Sequence, residues 1–300
     1  MIYTITFSPA IDYVMSAKKI CMGKVNRSEH EEIYFGGKGI NVSAVLAQLG
    51  VKSTALGFTA GFTGEAIEKG ISEMGIVSDF VRLPKGNSRI NVKIRAGQET
   101  EINGQGADID SISLEKFFRK LENITADDTA VIAGSVPKSL PDGIYEEIMR
   151  KLSAKGVRTA VDCEKNLLMG LLKYKPFVIK PNHHELGEIF GTVTETLEDI
   201  KKYALELHKM GACNVLVSMA ERGAYLLDSQ ENSHVCGACS GELKNSVGAG
   251  DSMLAGFLAG TEKGYEYALK LGTACGGATA FSEGLGSREM IDSLMKTQIE

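Results

Sequence analysis

The chain has 300 residues, a formal net charge of −5, and 43% hydrophobic against 24% charged residues, an ordinary globular composition with length enough for a substantial core. The acidic balance argues against a protein whose main work is to coat nucleic acid, which needs a basic face. No apolar run approaches a membrane span, and the six cysteines are scattered as reduced thiols are, not as a disulfide framework.

Residues 1–7 alternate like a strand and lack the cationic start and cleavage site of a signal peptide, so the expected location is cytoplasmic. The spacing predicts a helix over 39–49, with Val42, Val45, Leu46 and Leu49 on one face. A strand at 53–58 and a helix at 64–74, aligned by Ile67, Ile71 and Met74, follow. Residues 113–122 read as a helix capped by Ser113. Next come a strand at 129–133, a helix at 142–154, strands at 157–161 and 177–180, a helix at 196–210 and a strand at 214–218. A strand pair spans 223–236, and the chain is helical from about 250.

Such alternation implies βαβ units: a mainly parallel sheet covered by helices on both faces, with ligands at the carboxyl ends of its strands. Two segments break the pattern. Residues 89–95 alternate polar and apolar and read as a half-exposed antiparallel strand; residues 12–35 lack a helical period. The expectation is one domain over 1–300, with a small β lid from about 12–35 and 88–106.

Two segments carry chemistry. Gly248-Ala249-Gly250-Asp251 leads into an apolar helix, where free backbone N–H groups and the helix dipole favour a phosphate and glycine lets the backbone approach it. An acid there is placed to take a proton from an attacking hydroxyl. By itself the segment is also an ordinary tight turn and helix cap. Gly36-Gly37-Lys38-Gly39-Ile40-Asn41 opens the helix at 39–49. It is not a Walker A loop, because Gly follows the lysine, and not a dinucleotide fingerprint.

Together these segments resemble the paired signatures of the ribokinase-like carbohydrate kinases of the phosphofructokinase B type. The likeness runs along the chain: Ser8-Pro9-Ala10-Ile11-Asp12, with Ser8 where Asn is common in the family; Gly134-Ser135-Val136-Pro137; Asn182-His183-His184-Glu185; and Ser218 with Glu221-Arg222-Gly223. Thr100–Gly106 and Lys180–Gly191 are most like the family's fructose 1-phosphate branch. The resemblance implies a three-layer α/β/α sandwich with a small β lid, and a homodimer paired through that lid. It implies transfer of the γ-phosphoryl group of ATP to fructose 1-phosphate, with tagatose 6-phosphate as the alternative acceptor.

It also assigns roles. Asp251 is the base, with the Gly248, Ala249 and Gly250 backbone at the migrating phosphoryl group. Asp12, Gly37 and Asn41 hold sugar hydroxyls, with Ser135 beside the substrate. Lys38, Arg89 and Arg27 face phosphates. Lys180, Asn182, Ser218, Glu221, Gly223, Ala278 and Ser282 lie on the nucleotide side, and Asn182 and Glu185 position Mg²⁺. A non-catalytic sugar-phosphate sensor is the rival from another class; it would not need Asp251. The Cys236-x-x-Cys239 pair and His183-His184 are read as packing and local structure, because neither has the further ligands that a metal site requires.

Overall fold

The computed structural model describes residues 1–299. In chain order the strands are β1 (Ile2–Thr6), β2 (Ala10–Ser16), β3 (His30–Gly36), β4 (Ser53–Thr59), β5 (Val77–Ser78), β6 (Val81–Arg82), β7 (Arg89–Ala96), β8 (Gln98–Asn103), β9 (Thr129–Ala133), β10 (Arg158–Asp162), β11 (Val178–Ile179), β12 (Asn214–Ser218), β13 (Ala224–Leu227) and β14 (Ser233–Cys236). The helices are α1 (Lys38–Gln48), α2 (Gly61–Glu73), α3 (Ser111–Leu121), α4 (Ile144–Ala154), α5 (Lys165–Leu171), α6 (His183–Phe190), α7 (Leu197–Lys209), α8 (Ala249–Gly260), α9 (Tyr265–Ala280) and α10 (Arg288–Ile299).

The large sheet runs β14-β13-β12-β11-β10-β9-β1-β4-β5, with β6 also on β4. Its pairs are parallel except for β12–β13 and β13–β14. Every residue of β9 is buried, as expected of a strand covered on both faces. Its side chains alternate between two cores. Ala130 and Ile132 join Ile5, Phe117 and Tyr145 on one face; Val131 and Ala133 join Val42, Leu254 and Phe257 on the other. No described helix is long and apolar enough to cross a membrane.

Helix α8 is buried almost all round, so its first turn is held rigidly. Small residues permit this: a Cβ at Gly256 would lie 2.7 Å from Leu271 O, and one at Gly272 2.8 Å from Met253 O. Backbone-to-backbone packing of α8 on α9 therefore depends on glycine.

The second sheet has the order β3-β2-β7-β8. Here β7 departs from expectation in two ways. It is antiparallel to β8 but parallel to β2, with Asp12 opposite Asn91. Its polar residues are also the covered ones: Asn91 is 7% and Lys93 8% exposed, against 40% for Ile90. Alternation sets the period of a strand, not which face is covered, and here the polar face roofs a cleft. The cap of α3 is a further correction. The helix starts at Ser111, and Asp110 is its N-cap, accepting from Ser113 N at 2.9 Å. Ser113 sits inside the first turn, its hydroxyl also bonded to Asp110. Two capping residue types stood three apart, and the carboxylate prevails because it accepts both bonds.

Candidate active site

The carboxyl ends of β1, β9, β10 and β11 open towards the N-termini of α1 and α8. A cavity of about 180 Å³ there is lined by Ser8, Gly37, Lys38, Arg89, Ser135 and Glu164, among others. A second, of about 350 Å³, lies under the small sheet and includes Asp12, Tyr34, Asn41, Lys93, Asn245 and Glu283. Gly37 joins β3 to α1 at φ +120°, and a Cβ there would lie 2.9 Å from Thr6 Cγ2; only glycine makes that turn without strain.

Gly248 caps α8 in the left-handed region at φ +80°, and no side chain caps the helix. Its first-turn N–H groups therefore face outward without a side-chain partner. Asp251 stands in that turn, 6% exposed, and its Oδ2 accepts from Asn41 Nδ2 at 2.8 Å. Burial, and then the nearby Asp162 carboxylate, push the Asp251 carboxyl up to about 7, against the opposing pull of Lys38, the Asn41 hydrogen bond and Lys180. A carboxyl with a value near neutral has the property a general base needs.

Asp162, at the end of β10, organises the charges. Lys38 Nζ donates to its Oδ1 at 3.0 Å. Lys180 Nζ lies 3.4 Å from Oδ2, an ion-pair contact without a directed hydrogen bond, since Oδ2 has no hydrogen-bond partner. Burial by itself would raise the Asp162 carboxyl; Lys180 and Lys38 override it and hold it below its ordinary value. Lys38 is held above the usual lysine range, because Asp162 and Asp251 outweigh its burial. Lys180 also reaches α8: its Nζ lies 2.9 Å from the place a Cβ would take on Gly250. Glycine at 250 thus makes room for a cation beside the first turn of α8.

On the small sheet, Asp12 Oδ1 accepts from Asn91 Nδ2 at 2.8 Å. Arg89 is lowered by burial, with Asp12 opposing. Asn182 and Glu185 form a capping box on α6: Asn182 Oδ1 accepts from Glu185 N at 2.8 Å, and Glu185 Oε2 from Asn182 N at 2.7 Å. Ser218, at the end of β12, bridges to Asn182. Gly223 turns at φ +89° into β13, and Glu221 is exposed in the short turn before it.

The sequence profile of the pfkB family carbohydrate kinases matches residues 4–291. This chain belongs to the pfkB family of carbohydrate kinases. It is 44% identical to the 1-phosphofructokinase of Bacillus subtilis (strain 168) over 297 residues, covering 98% of this chain and 97% of that one. A D-tagatose-1-phosphate kinase of Bacillus licheniformis is 36% identical, covering 97% and 96%. Among solved structures, the phosphofructokinase-2 from Escherichia coli in complex with substrates and products superposes with a TM-score of 0.92 at 25% identity, covering 100% and 99%.

In this kinase, Gly37, Lys38, Arg89 and Ser135 share the smaller cavity, and Asp12 and Asn41 the larger. The other expected residues, Asp251 among them, line neither cavity. Arg27 is exposed in the β2–β3 loop and lines neither cavity. Ala278 is fully buried in α9, packed where a Cβ on Gly286 would lie 2.6 Å away, so its side chain has no face to offer a ligand; the Ser282 hydroxyl turns back to Ala278 O. Asp162 was missed by the motifs. An acid closing an apolar parallel strand is the signal that would have found it, since ligands gather at those strand ends.

Proposed function

We propose that this kinase transfers the γ-phosphoryl group of ATP to the 6-hydroxyl of fructose 1-phosphate, giving fructose 1,6-bisphosphate. The observation that carries the reading is the smaller cavity, where Lys38 and Arg89 meet at one mouth with Ser135. A neutral sugar needs no such cations, whereas a phosphate does. A second reading, the 6-hydroxyl of tagatose 1-phosphate, is favoured by the relatives named for that sugar at 36% and 31% identity. That substrate shares the anion at C1 and the acceptor at C6, and differs from fructose 1-phosphate only at C4. Tagatose 6-phosphate, the alternative acceptor expected from sequence, places anion and acceptor the other way round.

In this reading Asp251 takes the proton of the 6-hydroxyl, with Asn41 holding the carboxylate in place. The α8 first-turn N–H groups and Lys180 face the migrating phosphoryl group, where fixed donors count most. Asp12 and Asn41 orient the sugar. Ser218, Gly223 and Ser282 frame the nucleotide side.

Mg²⁺ fits the residues present. Glu185 spends one carboxylate oxygen on Asn182 N, and Asp162, Glu185 and Asn182 offer only hard oxygen donors. No group of three or more His, Cys, Asp or Glu is gathered to hold a metal among the described residues. That suits a cation that keeps its water and takes phosphate oxygens. When bound, Mg²⁺ supplies charge neutralisation on the β- and γ-phosphates.

A coupled ADP-release assay with Mg·ATP tests the function, comparing fructose 1-phosphate, tagatose 1-phosphate, tagatose 6-phosphate, fructose 6-phosphate and fructose by kcat/KM. The expected result is a clear preference for fructose 1-phosphate. Preference for tagatose 1-phosphate moves the assignment to the second reading, and silence with every acceptor restores the sensor.

The fold also supports a homodimer through the small sheet. Strand register sets Ile33, Tyr13, Val92 and Ile102 in one row across its outer face, with Ile33 55% and Ile102 60% exposed. An apolar row on an outer sheet face needs cover, and a second copy supplies it. Sedimentation velocity should find twice the chain mass for the native protein and the monomer for Ile102→Glu. A native monomer would remove the proposal.

A further inference from the structure

Sealing a polar side chain inside a protein is unfavourable, and leaving one of its atoms unbonded there is more so. Asn91 on β7 shows both. It is 7% exposed, its Nδ2 donates to Asp12 Oδ1 at 2.8 Å, and its Oδ1 is buried with no partner. The parallel register of β2 and β7 sets it directly opposite Asp12. Reversing the amide would turn Oδ1 on a carboxylate, acceptor against acceptor, so Asp12 dictates which way it points.

The other Asp12 oxygen is left clear. Oδ2 lies 3.1 Å from the place a Cβ would take on Gly36, and Asp12 lines the larger cavity. The competing partner is Arg89, two residues before Asn91 on the same strand face. The Asp12 carboxylate is the charge that opposes the burial of Arg89, whose Nε is itself buried without a partner. Released from Asn91, the Asp12 carboxylate would turn towards that guanidinium and leave the cavity. An amide kept in a sealed place at the expense of its own oxygen is holding something else in position.

We propose that Asn91 is a positioning residue for the sugar: it fixes Asp12 by one oxygen so that the other faces the substrate hydroxyls. The inference rests on Asp12 being the sugar-binding acid in the function proposed above. It separates the two substrates. Sugar binding depends on Asn91, and nucleotide binding does not.

The test is Asn91→Leu, which keeps the branched shape while removing the donor and the orphaned acceptor, with Asn91→Ala as a second variant should the bulkier leucine not fit. We expect kcat/KM for the sugar phosphate to fall about 10- to 100-fold through KM, with KM for ATP unchanged. The melting temperature should hold or rise, which loss of a merely structural hydrogen bond would not produce. Adding Asp12→Ala should bring no loss beyond that of Asp12→Ala alone, because both changes remove one device. An unchanged sugar KM overturns the proposal. So does a parallel rise of both KM values with a lowered melting temperature. Should the native enzyme prefer another sugar phosphate, the fructose 1-phosphate reading fails, while the variant-to-native ratio on that acceptor still decides Asn91. Calorimetric titration of each protein with fructose 1-phosphate gives the same ratio without turnover.

Discussion

Asp251→Asn should lower turnover by at least about 10²-fold while leaving sugar and nucleotide binding close to normal, as expected for losing a positioned general base. Asparagine keeps the shape of the side chain and its place in the first turn of α8 but cannot accept the hydroxyl proton. The native pH profile gives an independent reading of the same residue. With the Asp251 carboxyl at about 7, kcat/KM should rise with pH to a midpoint near that value and then level off. The sign follows from the chemistry: below the midpoint the carboxyl already carries the proton it must receive. Residual turnover in Asp251→Asn should lose that rising limb. Near-normal turnover in the variant would take Asp251 out of the mechanism.

Asp162→Asn should be the most destabilising single change in the site. Asp162 and Lys180 are 3% and 5% exposed at the side chain, and Lys38 Nζ shares the same carboxylate. Removing one member of a buried ionic group costs about 3–5 kcal/mol, because the partner charge is left without compensation. Against a typical total of about 5–15 kcal/mol that is a large fraction. Chemical denaturation checks it, and Lys180→Met added to Asp162→Asn should recover part of the loss by removing the stranded charge. The carboxyl of Asp162 is held below its ordinary value, so its contribution is present at neutral pH and fades as pH falls through that lowered value. Without the Asp162 charge, one cause that raises the Asp251 carboxyl disappears, and the rising limb of activity should move to lower pH. An unchanged denaturation midpoint would show that the lysines find compensation elsewhere.

The local chemistry of the chain was legible. Gly248-Ala249-Gly250-Asp251 reads as a phosphate-facing turn because glycine and a helix N-terminus have that property wherever they occur. Strand and helix alternation gave the layered parallel sheet for the same reason: periods of 2 and 3.6 are properties of the backbone. Asp110 against Ser113 marks the limit of local reading, since two capping residues competed and only bond geometry chose between them.

What the tertiary structure decided are meetings across the chain. Asn41 reaches Asp251 over 210 positions, Lys38 reaches Asp162 over 124, and Asn91 reaches Asp12 over 79. None has a spacing to recognise, because strand register and helix packing bring them together, and register is a relation between segments. The same holds for the covered face of β7: alternation announces a half-buried strand, but whether Asn91 or Ile90 turns inward depends on what the sheet roofs. The raised Asp251 carboxyl belongs here too. A carboxylate leaves its ordinary value only when folding withdraws water from it and sets other charges beside it.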